Sequence, residues 1–412
     1  MTPLRRERPR IALYSHDTMG LGHVRRNLLV ARKLACSSLR PNILLLSGAI
    51  EARSFQMPQG VDCVTLPSFY KEPDGRYRPR RLRMQFEEFV SVRRKILRAS
   101  IMAFEPDIFV VDTAPWGAAG ELNSTLEQLA SDGMTRSVLG VRDIWDDPEA
   151  VFKEWEYKRN WDAVRRFYKQ VWVYGDPMVY DPVREYGVEL EIARKFRFVG
   201  YIGWTMDLEA AGEGLEWKGL QYLRSGPYVL CMMGGGQDGL DLAEAFLNSE
   251  LPEGRTGLLV MGPHMDLEDM RHLLNLSAWR SHKKVIDFVP DPIDLIRNAE
   301  SIVSMGGYNA ICEIMSFRKR ALIVPRVHPR REQLIRAQRF QELGMLKLLH
   351  PEELEPRAIT KFARDSVGAS RLHLRVDMGG LDKVQELVES LLEGPANQEG
   401  MDARKGFDTR AR

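Results

Sequence analysis

His16 and His23 bracket a glycine turn, Gly20-Leu21-Gly22, that follows directly on the apolar run Arg10–Ser15. An imidazole with an ordinary pKa of ~6.5 can accept a proton from a hydroxyl near neutral pH. His23 heads a helical pattern (residues 24–34, apolar at Leu28, Leu29, Ala31 and Leu34), whose N-terminus favours the neutral ring. It is read either as a general base or as a cap of the turn, with His16 as the second candidate. Asp143, just after the buried-type run 137–141, is the rival base, and Arg142 beside it is an anion contact. Asp146-Asp147 resembles a metal-binding pair, but Pro148 follows at a helix start, so capping is the reading.

A second constellation lies between Ile302 and Gly344. An apolar run ends at Ser304, and Gly306-Gly307 opens a helical pattern that carries Glu313. A second apolar run stops at Pro325, and a polar loop with His328, Glu332 and Gln333 leads into another helix. Glycine lets a ligand approach the backbone, and the helix start offers unpaired N–H groups, which suits a diphosphate. Glu313 can accept hydrogen bonds from a sugar diol. Glu332 next to Gln333 pairs an acceptor-only group with one that donates and accepts, as vicinal hydroxyls require. Another glycine loop, Gly234-Gly235-Gly236-Gln237-Asp238-Gly239, follows the run Tyr228–Met233 and reads as a backbone cradle for a phosphate or a sugar.

The elements that must position these groups are strands alternating with helices. Seven apolar runs up to Val199 (Arg10–Ser15, Ile43–Leu46, Val61–Leu66, Ile108–Asp112, Ser137–Val141, Val171–Tyr174, Phe196–Val199) and a renewed series from Tyr228 predict an α/β chain of two Rossmann-like domains. Ile108–Asp112 is a buried-type strand that ends in an acid. The expected layout is a first domain over 1–200, a linker over 201–226, a second domain over 227–393 and a disordered tail over 394–412.

With 412 residues, two cores are expected. Lys plus Arg (59) nearly balances Asp plus Glu (57), so no global field points to nucleic acid. The charged start MTPLRRERPR lacks the apolar segment of a signal peptide, and no run reaches the ~20 apolar residues of a bilayer span. Four scattered cysteines without a CxxC pair read as reduced thiols rather than metal ligands. The expectation is a cytoplasmic protein. The nicotinamide and flavin fingerprint fails: Arg25 stands where G-x-G-x-x-G needs its third small residue, and the second strand ends in Ser47-Gly48 instead of an acid. The stretch Arg76–Arg98 holds nine basic residues among aromatics, which can dock an anionic membrane surface or a phosphate-bearing acceptor.

In this order Ser304, Gly306, Gly307, Glu313, Pro325, His328, Glu332 and Gln333 resemble the donor-binding half of the GT-B glycosyltransferases of family 28. Gly22-His23-Val24 resembles that family's first glycine loop, and Gly234–Gly239 its second. The resemblance implies two domains facing a cleft, with Gly20, Gly22, His16 and Arg142 on the acceptor side. It implies donor contacts from Gly235, Gly236, Gln237, Phe288 and Val289, the last two by position alone, and a diphosphate held at Ser304, Gly306 and Gly307. Ribose falls to Glu313, the sugar hydroxyls to Glu332 and Gln333, and His328 is a further donor-side residue; the last helical pattern is expected to pack back across the first domain. It further implies a nucleotide sugar (UDP by family habit), a lipid-linked or anionic acceptor, a place on the inner face of the membrane in envelope or polysaccharide synthesis, a single inverting displacement, no obligatory metal and no cofactor. Two alternatives use the same fold: a hydrolysing nucleotide-sugar epimerase and a non-catalytic nucleotide-sugar-binding subunit.

Overall fold

The structure, a computed structural model, describes residues 7–17, 21–50, 52, 55–71, 76–204, 226–236, 238–289, 291–370 and 372–393. Most of the expected linker, the tail 394–412, Gly20 and Gln237 lie outside the described residues.

Strands β1 (Arg10–Ser15), β2 (Asn42–Ser47), β3 (Val61–Thr65), β6 (Ile108–Asp112), β7 (Arg136–Arg142), β8 (Gln170–Tyr174) and β9 (Phe196–Phe198) form one parallel sheet in the order β3-β2-β1-β6-β7-β8-β9. A two-stranded hairpin, β4 (Phe69–Lys71) with β5 (Tyr77–Pro79), stands apart from it. β6 and β8 are buried at every residue, as strands covered on both faces by crossover helices must be. The second sheet is also parallel, in the order β12-β11-β10-β13-β14-β15. Its strands are β10 (Tyr228–Met232), β11 (Thr256–Val260), β12 (Lys283–Ile286), β13 (Ser301–Ser304), β14 (Arg320–Ile323) and β15 (Lys347–Leu348). In both sheets the order reverses beside the first strand, between β1 and β6 and between β10 and β13. Ligands of open parallel sheets bind outside the strand ends at such points.

The chain crosses between the halves twice. Tyr201 N donates to Asp377 O at 2.8 Å, and Ile202 bridges Gly379. A Cβ on Gly380 would stand 2.6 Å from Tyr201 O, so only glycine fits where the two crossings touch. The final helix, Gly380–Glu393, packs on the helix Gly22–Ala35 and is tied to it by Lys33–Asp382 at 2.5 Å. It returns to the first domain, as the resemblance implies.

The basic stretch Arg76–Arg98 is not one solvated face. Its helix spans Phe86–Phe104, and Arg93 is fully buried, held by Glu121 at 2.6 and 2.7 Å with its guanidinium 4.3 Å above Phe69. Arg81 and Arg83 remain exposed. Among the described residues no helix is long and apolar enough to cross a membrane.

Candidate active site

The carboxyl ends of both sheets line one cleft of about 1290 Å³. From the first domain come His16, Gly22, His23, Thr113, Trp116 and Arg142; from the second come Gly235, Gly236, Ser304, Gly307, Glu313, Glu332 and Gln333.

His23 sits in the first turn of the helix Gly22–Ala35, whose start is fixed by Asp17: the buried carboxylate accepts from Val24 N (2.9 Å), Ser15 Oγ (2.6 Å) and Ser47 Oγ (2.7 Å). His23 Nδ1 lies 2.8 Å from Asp112 Oδ2. A carboxylate only accepts, so Nδ1 carries the proton and Nε2 is left as the acceptor. Asp112 is fully buried and also takes Arg26 Nη2 at 2.6 Å on each oxygen. Burial alone would raise its pKa; the Arg26 charge and then His23 outweigh that and hold the carboxyl well below the usual range. Arg26 in turn lies between the rings of Tyr174 (5.2 Å) and Tyr308 (5.3 Å). Asp112 and Arg26 were not read as site residues; the visible signal was an acid closing an apolar strand at the sheet's switch point. The His16 ring is 4.9 Å from that of His23, within the cleft wall.

The rival base is corrected. Asp143 is fully buried, absent from the cleft lining, and clamped by Arg336 of the second domain (Nη2 to Oδ1 2.7 Å, Nε to Oδ2 3.0 Å) and by Tyr201 Oη at 3.0 Å. With both charges out of water it is a domain tie, unable to reach an acceptor. Asp147 caps the helix Pro148–Tyr157, accepting from Glu149 N, as its sequence context suggests.

On the donor side, Gly307 caps the nine-residue helix Tyr308–Ser316, with open space where a Cβ would stand. Gly306 does not line the cleft. Its φ of +77° and the 2.5 Å between its would-be Cβ and Ile323 Cγ2 make it a hinge of the turn rather than a contact. In the second glycine loop Gly235 faces open space, while Gly236 packs on Gly262. Phe288 lines the cleft, but Val289 is buried in the core. His328 is exposed outside the cleft lining, because the polar loop turns it to the surface. Glu332 Oε1 accepts from Arg326 Nη2 at 3.0 Å, and Gln333 Oε1 accepts from Arg326 N at 3.0 Å.

Glu313 is buried, and Arg25 of the first domain holds its Oε1 at 2.5 Å. One turn earlier on the same helix, Asn309 Nδ2 donates to Gly22 O at 2.9 Å. The helix that starts at the donor end therefore docks on the turn that carries His23. The outer wall of the cleft is aromatic: Trp145 and Trp155 stack at 4.3 Å, and the indole N–H groups of Trp145 and Trp116 are tied to Arg142 O (2.8 Å) and Arg159 O (3.1 Å). Among the described residues no group of three or more His, Cys, Asp or Glu side chains is placed to hold a metal ion.

Residues 229–370 match the glycosyltransferase family 28 C-terminal domain. That match covers about a third of the chain, and the chain as a whole has the GT-B fold. Solved glycosyltransferases share the fold across nearly the whole chain at low identity. A UDP-glucosyltransferase from Polygonum tinctorium capable of glucosylating indoxyl superposes with a TM-score of 0.62 at 13% identity, covering 94% of this chain and 99% of its own. Phytolacca americana UGT2, complexed with UDP-2-fluoro-glucose and pterostilbene, gives 0.58 at 14% identity over 93% and 94%. The calicheamicin glycosyltransferase CalG4 gives 0.54 at 16% identity over 98% and 100%. No curated protein is detectably similar in sequence.

Proposed function

We propose that this glycosyltransferase moves a sugar from a nucleoside-diphosphate sugar, UDP-linked, to an acceptor hydroxyl, with inversion and without an obligatory metal ion. The observation that carries the reading is the His23–Asp112 pair in a cleft whose other wall is the start of the helix Tyr308–Ser316. His23 Nε2 takes the proton of the acceptor hydroxyl, and the buried Asp112 carboxylate stabilises the imidazolium that results. The oxygen attacks the anomeric carbon while the bond to the diphosphate breaks. The N–H groups at Gly307–Asn309, the helix dipole and the glycine loop receive the leaving charge. Ser304 and Gly307 hold the diphosphate, Glu313 the ribose, Phe288 the base, and Glu332 with Gln333 the sugar. UDP is favoured because family habit joins with two fold relatives, one named as a UDP-glucosyltransferase and one complexed with a UDP-sugar analogue.

The acceptor lies against the aromatic wall of Trp116, Trp145 and Trp155, where the N–H groups of Trp116 and Trp145 are tied off and the rings present carbon. Tyr77 and Phe86 extend that wall, and the segment between them carries exposed Arg81 and Arg83 around Leu82, which is 48% exposed. This rim supports the reading of a lipid-linked or anionic acceptor presented at a negatively charged surface, and with it of an enzyme that works in the cytoplasm against the inner face of the membrane. The test is release of nucleoside diphosphate from a panel of UDP-, GDP- and TDP-sugars with and without acceptors. Acceptor-dependent release lost in His23→Ala is expected. Turnover to an epimeric sugar without acceptor, or no binding of any nucleotide sugar, overturns the reading.

A further inference from the structure

Most arginines around the cleft are matched with acids. Arg26 is held by Asp112, Arg336 by Asp143, Arg25 by Glu313, Arg326 by Glu332 and Asp238, and Arg330 by Glu154. Arg142 lines the same cleft at the end of β7. Among the described residues no hydrogen bond or ion pair engages its guanidinium, and its Nε is shut off from solvent without an acceptor. Its backbone is fixed, since Arg142 pairs with Tyr174 in the sheet and its carbonyl takes the Trp145 N–H. From the opposite domain Glu332, 3% exposed, has one oxygen on Arg326 and the other, Oε2, buried with no partner. An open buried donor and an open buried acceptor are both costly to leave unmade. The charges acting on Arg142 are those of Glu332, Arg336, Arg26 and Asp143; burial is the largest effect and brings the guanidinium down to about 10, so it stays a cation at neutral pH. On the reading above, the Gly307 end of the helix serves the diphosphate and Glu332 the sugar, and because Glu332 is the charge that acts most strongly on Arg142, the guanidinium belongs to the sugar end.

We infer that Arg142 is a specificity-determining residue that receives a carboxylate on the substrate at the sugar end of the cleft, while Glu332 accepts an adjacent hydroxyl. This rests on the reading that Glu332 and Gln333 hold the transferred sugar. The planar guanidinium fork meets a carboxylate with two parallel N–H donors, which gives direction as well as charge. A neutral sugar leaves Glu332 and Asp143 as the acids acting on the cation, with no hydrogen-bonded counter-charge on its guanidinium among the described residues. The carboxylate belongs either to the donor, as in a nucleoside-diphosphate hexuronate, or to an acid on the acceptor.

Two kinetic arms separate these sources. One compares a UDP-hexose with the matching UDP-hexuronate on a neutral acceptor; the other compares an acceptor acid with its methyl ester on a neutral donor. The readout is the acid-to-neutral ratio of kcat/KM within each variant, so a general loss of activity does not enter. The native enzyme is expected to favour the acid roughly tenfold or more in one arm, Arg142→Met to lose that ratio, and Arg142→Lys to keep part of it. Should a variant turn over too slowly, the same ratio is read by calorimetric binding of the two nucleotide sugars, or of the acceptor acid and its ester in the presence of UDP. A native ratio near unity in both arms, or one retained in Arg142→Met, overturns the inference. Failure of the glycosyltransfer reading shows separately, as no nucleotide-sugar binding in the native protein.

Discussion

Arg25 Nη2 of the first domain lies 2.5 Å from Glu313 Oε1 of the second. The carboxylate read as the ribose acceptor is thus already held by an arginine, two residues beyond His23. On the proposed ribose role of Glu313, Arg25 competes with the nucleotide for this carboxylate. Arg25→Met is expected to tighten UDP binding severalfold and Glu313→Ala to weaken it, both by calorimetry. Weaker UDP binding in Arg25→Met would instead make Arg25 a donor contact.

Burial raises Glu313 to about 7; Arg25 opposes this and Asp291 adds to it. Between its unfolded value of ~4.5 and the folded value, the native state binds the extra proton. That contribution to stability is full below the unfolded value and is lost as pH rises through about 7. Melting temperature should therefore fall over this window in the native protein, and Glu313→Gln should flatten the slope. An unchanged slope would take Glu313 out of the titration.

Asp112→Asn keeps the shape of the partner but removes the charge that orients His23 and stabilises its imidazolium. Turnover is expected to fall about 10²–10⁴-fold with a much smaller change in donor KM. If turnover and KM moved together with a collapse in melting temperature, the loss would be one of folding, since the variant leaves the buried Arg26 short of its counter-charge.

The tie between Asp143 and Arg336 is fully buried on both sides. Asp143→Ala leaves an unpaired interior cation and is expected to cost about 3–5 kcal/mol, while the paired change Asp143→Leu with Arg336→Met costs far less. Denaturant unfolding of the three proteins reads this directly. Equal losses in single and double variants would mean the pair is not coupled.

A Cβ on Gly262 would lie 2.3 Å from Gly236 N and 2.4 Å from Gly235 C, against backbone that cannot step aside. Gly262→Ala should push the donor loop out of place and raise donor KM severalfold, with about 1–3 kcal/mol of stability lost to overpacking. An unaltered KM would show that this loop does not serve the donor.

The strand-and-helix alternation, the seven strands of the first sheet and the glycine turns beside His23, Gly235 and Gly307 could be read from the residues, because they depend on local periodicity and on backbone freedom. The return of the final helix to the first domain was legible only through the resemblance, since an apolar stripe does not say which domain covers it. Which acid serves His23 was not. Asp112 lies 89 positions away, and it meets the imidazole only because β6 pairs beside β1. Asp143, an equally plausible acid by position, is turned into a domain tie by Arg336, 193 residues on. The same holds for the surface placement of His328, the burial of Val289 and Arg93, and the hold of Arg25 on Glu313. Residue order along one chain specifies which strands form; the partner a charge finds is settled by which strand ends come together and which side chains lose water there, a property of the packed molecule alone.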